Sequence, residues 1–162
     1  MKIALAIAET AEAEADLARE LRRLSHRHAA EADVHQTAVA LAAGCVKQVV
    51  ALRPAAGGYG ASVPDDDSAE SPGVVEAIRE GAASLFRRSD VTGLVLLDDL
   101  RHAYLTAQRA EVDWVMLVQG AKAARDRDLI AVATEGEDHA RRCGSWLRTR
   151  IKESSAQVLA CG

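Results

Sequence analysis

Apolar side chains recur at steps of three and four along most of this chain, and the pattern is strictest between Leu94 and Arg125. The repeated positions there are Leu96, Leu100, Ala103, Ala107, Ala110, Trp114, Leu117, Ala121 and Ala124. A second series comprises Leu129, Ala133, Gly136, Ala140, Cys143, Leu147, Ile151, Ser154 and Val158. Side chains at this spacing share one face of an α-helix. The two series predict two long helices joined by a short turn, with a helix cap supplied within Asp126 to Asp128.

The first third of the chain has the same spacing, from Leu17 through Leu24 and onward to Leu52. One unbroken helix over the first 53 residues would be roughly 80 Å long at about 1.5 Å per residue, which is unusual for a soluble domain. Asp33 and Gln36 have the spacing of a capping box, which favours a turn near residues 29–33. Residues 29–33 contain neither Gly nor Pro, and the spacing keeps its phase across them, so a continuous helix is the alternative.

The composition changes between Pro54 and Gly73, which enclose all three prolines, four glycines and an acidic triplet. Proline disfavours helix both at its own position and at the residue before it, so we expect the second helix to end at Arg53. A flexible crossover is predicted over about residues 54–73. Ser71 and Pro72 then form a favourable helix start, which predicts a short helix over residues 74–88.

These elements give the order helix, turn, helix, long crossover, helix, turn, helix, within one domain covering residues 1–162. Hydrophobic residues make up 49 % of the chain but aromatic residues only 3 %, so the core must consist mainly of Ala, Leu and Val, as is typical of helices. The order resembles the ferritin-like superfamily. The resemblance implies an all-α, antiparallel four-helix bundle with the long crossover between helices 2 and 3. Members of that superfamily commonly hold two metal ions with carboxylates and Glu-x-x-His motifs, and this sequence has no Glu-x-x-His.

Charge and cysteine content indicate the environment of the protein. The net charge is −4, from 20 basic and 24 acidic residues mixed along the chain, which disfavours binding to nucleic acid or anionic membranes. Cys45, Cys143 and Cys161 form no C-x-x-C pair and are predicted to be reduced thiols. The apolar run from Ile3 to Ala8 is too short for a signal peptide, and no uninterrupted apolar run approaches the ~18 residues of a membrane span. We expect a soluble, cytoplasmic protein.

The first candidate metal ligands are His28, Glu31 and His35. At about 100° per residue, Glu31 lies roughly −60° and His35 roughly −20° from His28, so all three share one stripe of a continuous helix. Imidazole and carboxylate donors suit iron, manganese or zinc. The alternative is a structural role at a turn, with Glu31 pairing with His35. A turn near Asp33 would remove the alignment.

Glu135 and His139 are the second candidate pair, with the same four-residue spacing, beside the predicted buried face of the last helix. Whether His139 reaches the first group depends on how the helices pack, which the sequence does not determine. Cys45 and Cys143 lie on predicted buried faces and are interpreted as neutral structural thiols.

Two functions are compatible with these observations. The first is a ferritin-like metal-binding protein that uses His28, Glu31 and His35 together with Glu135 and His139. The second is a metal-free helical scaffold or protein-interaction module, self-associating as a homodimer through its alanine-rich face. The sequence identifies no catalytic residue and no motif for an organic cofactor: the glycine-rich stretch from Gly57 to Gly60 lacks the lysine of a P-loop, and no G-x-S-x-G is present.

Overall fold

The computed structural model describes residues 2–65 and 89–160, which form four helices with no strand among them. The helices are α1 (Lys2–Arg27), α2 (Ala32–Tyr59), α3 (Ser89–Ala124) and α4 (Arg127–Ala160). Helix α1 packs against α2 and α3, and helix α4 packs against α3 and α2. The predicted all-α class and the two long C-terminal helices are confirmed. The short helix predicted over residues 74–88 lies outside the described residues.

The buried faces are those that the three-four spacing predicts. On α3 every predicted position from Leu96 to Ala121 is buried, and Ala124 in the last turn is exposed. On α4 the predicted face is buried from Leu129 to Leu147, while Ile151 and Val158 are half-buried. Each fully buried leucine contributes about 1.5–3 kcal/mol to folding. These faces form one hydrophobic core shared by all four helices.

The predicted turn in the N-terminal half is confirmed, because α1 ends at Arg27 and α2 begins at Ala32. The predicted capping box is wrong. Glu31 occupies the N-cap position without a side-chain cap, and Asp33 instead accepts a hydrogen bond from Arg150, with 2.7 Å between Arg150 Nη1 and Asp33 Oδ2. The Asp33 carboxylate, which the local spacing predicted to cap α2, therefore forms an ion pair with α4 instead.

The prediction that Pro54 ends the second helix is also wrong, since α2 continues through Pro54 to Tyr59. Packing beyond the proline offsets its local cost: Ala56 is buried in the core, and Tyr59 Oη donates to Asp126 Oδ2 at 3.0 Å. The helix stops at Gly60, whose φ of 68° is in the left-handed region that glycine adopts without strain. Helix α2 therefore ends later than predicted.

The turn between α3 and α4 follows the sequence prediction closely. Asp126 Oδ1 accepts the backbone N–H of Leu129 at 3.0 Å, so the predicted cap at this position is confirmed. Arg125, in the same turn, adopts a positive φ of 57°. This turn fixes where α4 begins and therefore which of its residues face α2.

Helix α2 is long and apolar enough, by length and composition, to cross a membrane. A helix packed in the core of a soluble protein meets the same criterion. One face of α2 is buried against its neighbours, including Val34, Ala38 and Ala42, while Val39 and Val50 are exposed. The buried face also contains Cys45.

Candidate metal centre

Cys45, His139 and Cys143 come together between α2 and α4. Their ligand atoms all lie within 4.8 Å of one another, and all three residues are buried. Cys45 Sγ and Cys143 Sγ each lie 3.5 Å from His139 Nε2. His139 Nε2 is also 3.2 Å from the backbone oxygen of Leu41, an acceptor for the imidazole N–H. Within the described residues, these three side chains form the group of His, Cys, Asp or Glu whose ligand atoms are close enough together to bind one metal ion.

The local sequence explains how these side chains meet. His139 and Cys143 are four residues apart and therefore project from the same side of α4. On α2, the residue before Cys45 is Gly44, and a Cβ added there would lie 2.2 Å from His139 Cε1. Because Gly44 has no side chain, the imidazole ring packs directly against the α2 backbone beside Cys45.

A carboxylate on α1 lies next to this group. Glu14 has no exposed surface, and its Oε2 accepts a hydrogen bond from Trp114 Nε1 at 2.7 Å. Its other oxygen, Oε1, is buried and has no hydrogen-bond partner. The Trp114 ring lies against α4 at Gly136, where an added Cβ would be 2.5 Å from two ring carbons. The close packing of the Trp114 ring against Gly136 therefore fixes the position of the indole N–H that donates to Glu14.

The buried groups strongly perturb one another's protonation. Burial raises the pKa of Glu14 to about 7, although Trp114 and the neighbouring Cys45 thiol oppose the rise. The Cys45 thiol, followed by His139, lowers the pKa of Cys143 to about 6 against the effect of burial. The pKa of Cys45 is raised by Cys143 and by burial, and that of His139 is raised mainly by Cys143. Without a cation, one thiol ionises well before the other.

The spacing of the donors matches the edges of a zinc coordination tetrahedron. With Zn–S near 2.3 Å and Zn–N near 2.0–2.1 Å, tetrahedral angles place sulfur and nitrogen ~3.5 Å apart, the separation found here for both thiols. Two thiols and an imidazole are donors that zinc prefers, whereas manganese prefers carboxylate and water oxygens. The same residues do not fit the carboxylate-bridged pair of metal ions suggested by the ferritin-like resemblance.

The structure does not bring the first predicted ligand group into one site. His28 is buried and its Nε2 lies 2.8 Å from Asp99 Oδ2, and Arg27 donates to the other oxygen of Asp99 at 2.7 Å. Although burial opposes it, the hydrogen bond from His28 and the charge of Arg27 lower the pKa of Asp99. His35 Nδ1 instead lies 3.0 Å from both Ser25 Oγ and the Ser25 backbone oxygen. The contacts with Asp99 link the α1–α2 turn to α3, and the contacts between His35 and Ser25 link α2 to α1 across that turn.

The acidic members of the predicted set lie at the surface. Glu31 is exposed, with one oxygen 3.8 Å from Arg150 Nη2. Glu135 is exposed and accepts from Lys47 Nζ at 3.3 Å. Of the predicted ligands, His139 is the one that belongs to the buried group. Glu14 is not among the predicted ligands, and Cys45 and Cys143 were interpreted as structural thiols. The His-x-x-x-Cys spacing on a buried face of α4 was nevertheless a signal present in the sequence.

Comparison with known proteins assigns this chain to no family. No family model, no curated protein and no solved structure matches it. The ferritin-like resemblance therefore stays a prediction from helix order. Any functional assignment depends on the chemistry of the buried group.

Proposed function

We propose that this protein is a metal-binding helical bundle that holds one zinc-class ion through Cys45, His139 and Cys143. The observation that supports this most directly is the 3.5 Å separation of both cysteine sulfurs from the same imidazole nitrogen. Burial of all three residues keeps bulk water from competing for the donors. Metal binding would displace the thiol protons and would require the His139 tautomer that carries its proton on Nδ1, because thiolate and neutral imidazole are the ligating forms.

The fold proposed for this function is an antiparallel four-helix bundle with a ferritin-like crossover between α2 and α3. Two short turns, after α1 and after α3, support antiparallel neighbours. The long segment between Gly60 and Ser89 supports a crossover. A reducing, cytoplasmic location would suit a site that needs two unoxidised thiols.

Elemental analysis of protein purified under reducing conditions, without a metal-chelating affinity tag, tests the proposal. We expect about one equivalent of zinc after reconstitution, and its loss in Cys45→Ser, His139→Ala and Cys143→Ser. His102→Ala, which removes an exposed imidazole on α3, is the matched histidine control and should retain the ion. Cys161→Ser serves the same purpose for a third cysteine.

Absence of zinc, iron and cobalt above background after reconstitution would refute the metal-binding proposal. The buried group would then be a hydrogen-bonded cluster of two thiols and an imidazole. A melting temperature that does not respond to added zinc would support that outcome, because a ligand that binds only the folded state must stabilise it.

A second proposed property is self-association through α3. Five of its large apolar side chains are exposed, and the four most exposed are Leu94, Leu105, Val112 and Met116. At about 100° per residue these four positions fall within roughly 40° of one another, on one stripe of the helix. A second copy of the chain would bury this stripe, and Val112→Glu should then shift the mass measured by light scattering from dimer to monomer. A monomeric wild-type protein would exclude the property.

A further inference from the structure

We propose that Glu14 is the fourth protein ligand of this metal site, so that the bound ion is enclosed by side chains and has no position open to an external ligand. The inference rests on the proposed metal-binding function and extends it from three donors to four. It assigns the site to the closed class of zinc centres, in which the ion is held rather than presented to a substrate.

The free oxygen of Glu14 is the first observation behind this inference. More than about nine in ten buried polar groups in proteins have a hydrogen-bond partner, and Oε1 of this fully buried carboxylate has none. A buried, incompletely paired carboxylate is costly. A divalent cation next to it would supply the missing partner and offset the charge.

The contacts of the other oxygen are the second observation. Trp114 Nε1 donates to Oε2 at 2.7 Å, which leaves Oε1 free and fixes the plane of the carboxylate. Metal-ligating carboxylates are commonly held by such a donor on the oxygen that does not coordinate. Trp114 is held in turn by its close approach to Gly136, so all four helices take part in building the site.

The position of Glu14 relative to the thiols is the third observation. Glu14 lies beside Cys45, whose thiol influences its protonation, yet it is outside the group whose ligand atoms all lie within 4.8 Å. Coordination therefore requires the carboxylate to move toward the ion by rotation of its side chain. Oε1 is the oxygen available to the ion, because Trp114 holds Oε2 and Oε1 has no hydrogen-bond partner.

Cobalt(II) is the probe for this inference because its visible spectrum reports both coordination geometry and thiolate ligands. Wild-type protein, Glu14→Gln and Glu12→Gln would each be titrated with cobalt and then with azide, a small anion that binds open coordination positions. Glu12 is an exposed carboxylate on the same helix, so Glu12→Gln controls for loss of charge. Zinc affinity would be measured in parallel by competition with a chromophoric chelator.

We expect the wild-type and Glu12→Gln proteins to show a four-coordinate cobalt spectrum that azide does not change. Glu14→Gln should bind zinc roughly 10- to 100-fold more weakly, at least the loss seen when supporting residues of metal sites are removed, and azide should alter its cobalt spectrum. Circular dichroism would verify that Glu14→Gln is folded.

A wild-type cobalt spectrum that changes with azide would overturn the inference, and this measurement needs no variant. Unchanged zinc affinity and cobalt spectrum in Glu14→Gln would also overturn it, while leaving the three-residue site intact. Failure of the wild-type protein to bind either ion would instead refute the proposed function itself. The two failures are thus distinguishable.

Discussion

Replacing Gly44 with alanine should separate metal binding from folding. An added Cβ at this position would lie 2.2 Å from His139 Cε1 and 2.8 Å from Nε2, well inside ordinary contact distance. The atoms that it meets are the end of a side chain, so the ring can rotate away at modest cost. Alanine is also about 1 kcal/mol more favourable than glycine within a helix. The metal-free variant should therefore be about as stable as the wild type, but its imidazole is displaced from both thiols.

The magnitude follows from linkage between binding and folding. At a free zinc concentration of about 100 times the wild-type Kd, the ion stabilises the folded state by about 2.7 kcal/mol, and a 100-fold weaker site retains only ~0.4 kcal/mol. For a chain of this size, 1 kcal/mol corresponds to about 2–4 °C in Tm. Zinc should raise the wild-type Tm by roughly 5–11 °C and that of Gly44→Ala by about 1–2 °C.

Thermal unfolding followed by circular dichroism, with and without zinc, measures both quantities. Gly57→Ala is the matched control, since Gly57 lies on the same helix and an added Cβ there meets nothing within 4 Å. It should keep the full zinc-dependent shift. An equal zinc-dependent rise in Tm in Gly44→Ala and Gly57→Ala would refute this prediction, because zinc binding would then not require the imidazole to pack against the α2 backbone.

Three further predictions concern the surroundings of the site. In the metal-free protein, the pKa of Glu14 is raised from 4.5 to about 7. Between these two pH values the folded state keeps a proton that the unfolded state releases, so the free energy of unfolding falls as the pH rises from about 4.5 to 7. Glu14→Gln should then be more stable than the wild type by up to roughly 3 kcal/mol at pH 8 but not at pH 4. Urea unfolding with a chelator present measures this difference, and equal free energies of unfolding at pH 8 would contradict the prediction. Gly136→Ala should lower the free energy of unfolding by about 1–3 kcal/mol, because the fully buried Trp114 ring has no room to move; an unchanged urea midpoint would argue against the close approach. The double variant His28→Ala/His35→Ala should retain all bound zinc by elemental analysis. Its free energy of unfolding should fall by about 1–3 kcal/mol, because Asp99 loses its contact with His28. Loss of the ion would show that these histidines contribute to the metal site.

The helical faces could be predicted from sequence because the three-four spacing reports burial directly. The same spacing did not predict that α2 continues beyond Pro54, because the stabilising contacts at Ala56 and Tyr59 are made with residues distant along the chain. Asp33 illustrates the same limit. Its capping signal was local, but Arg150 on another helix offered a stronger partner. Local signals fail at these positions because tertiary contacts contribute more free energy than a cap or a single helix-breaking residue.

The predicted ligands show why the site was harder to find than the fold. His28, Glu31 and His35 are close in sequence, and their alignment required a continuous helix that the observed turn interrupts. The buried group instead joins Cys45 to His139 across two helices. Spacing within one segment describes neighbours on the same helix and does not describe the register between helices. For His139 and Cys143, which are on one helix, the signal was present in the sequence.

Register between helices becomes predictable once the turn is known. Glu14 lies 13 residues before Arg27, the last residue of α1, and Cys45 lies 13 residues after Ala32, the first residue of α2. In the antiparallel pair proposed above, residues equally far from a short turn lie at the same level. Glu14 also follows the spacing of Thr10, Leu17 and Leu21 and so interrupts an apolar stripe with a carboxylate. A charged residue on a buried stripe is costly without a compensating partner, and when it lies level with a cysteine on the adjoining helix, the partner to look for is a cation held between them.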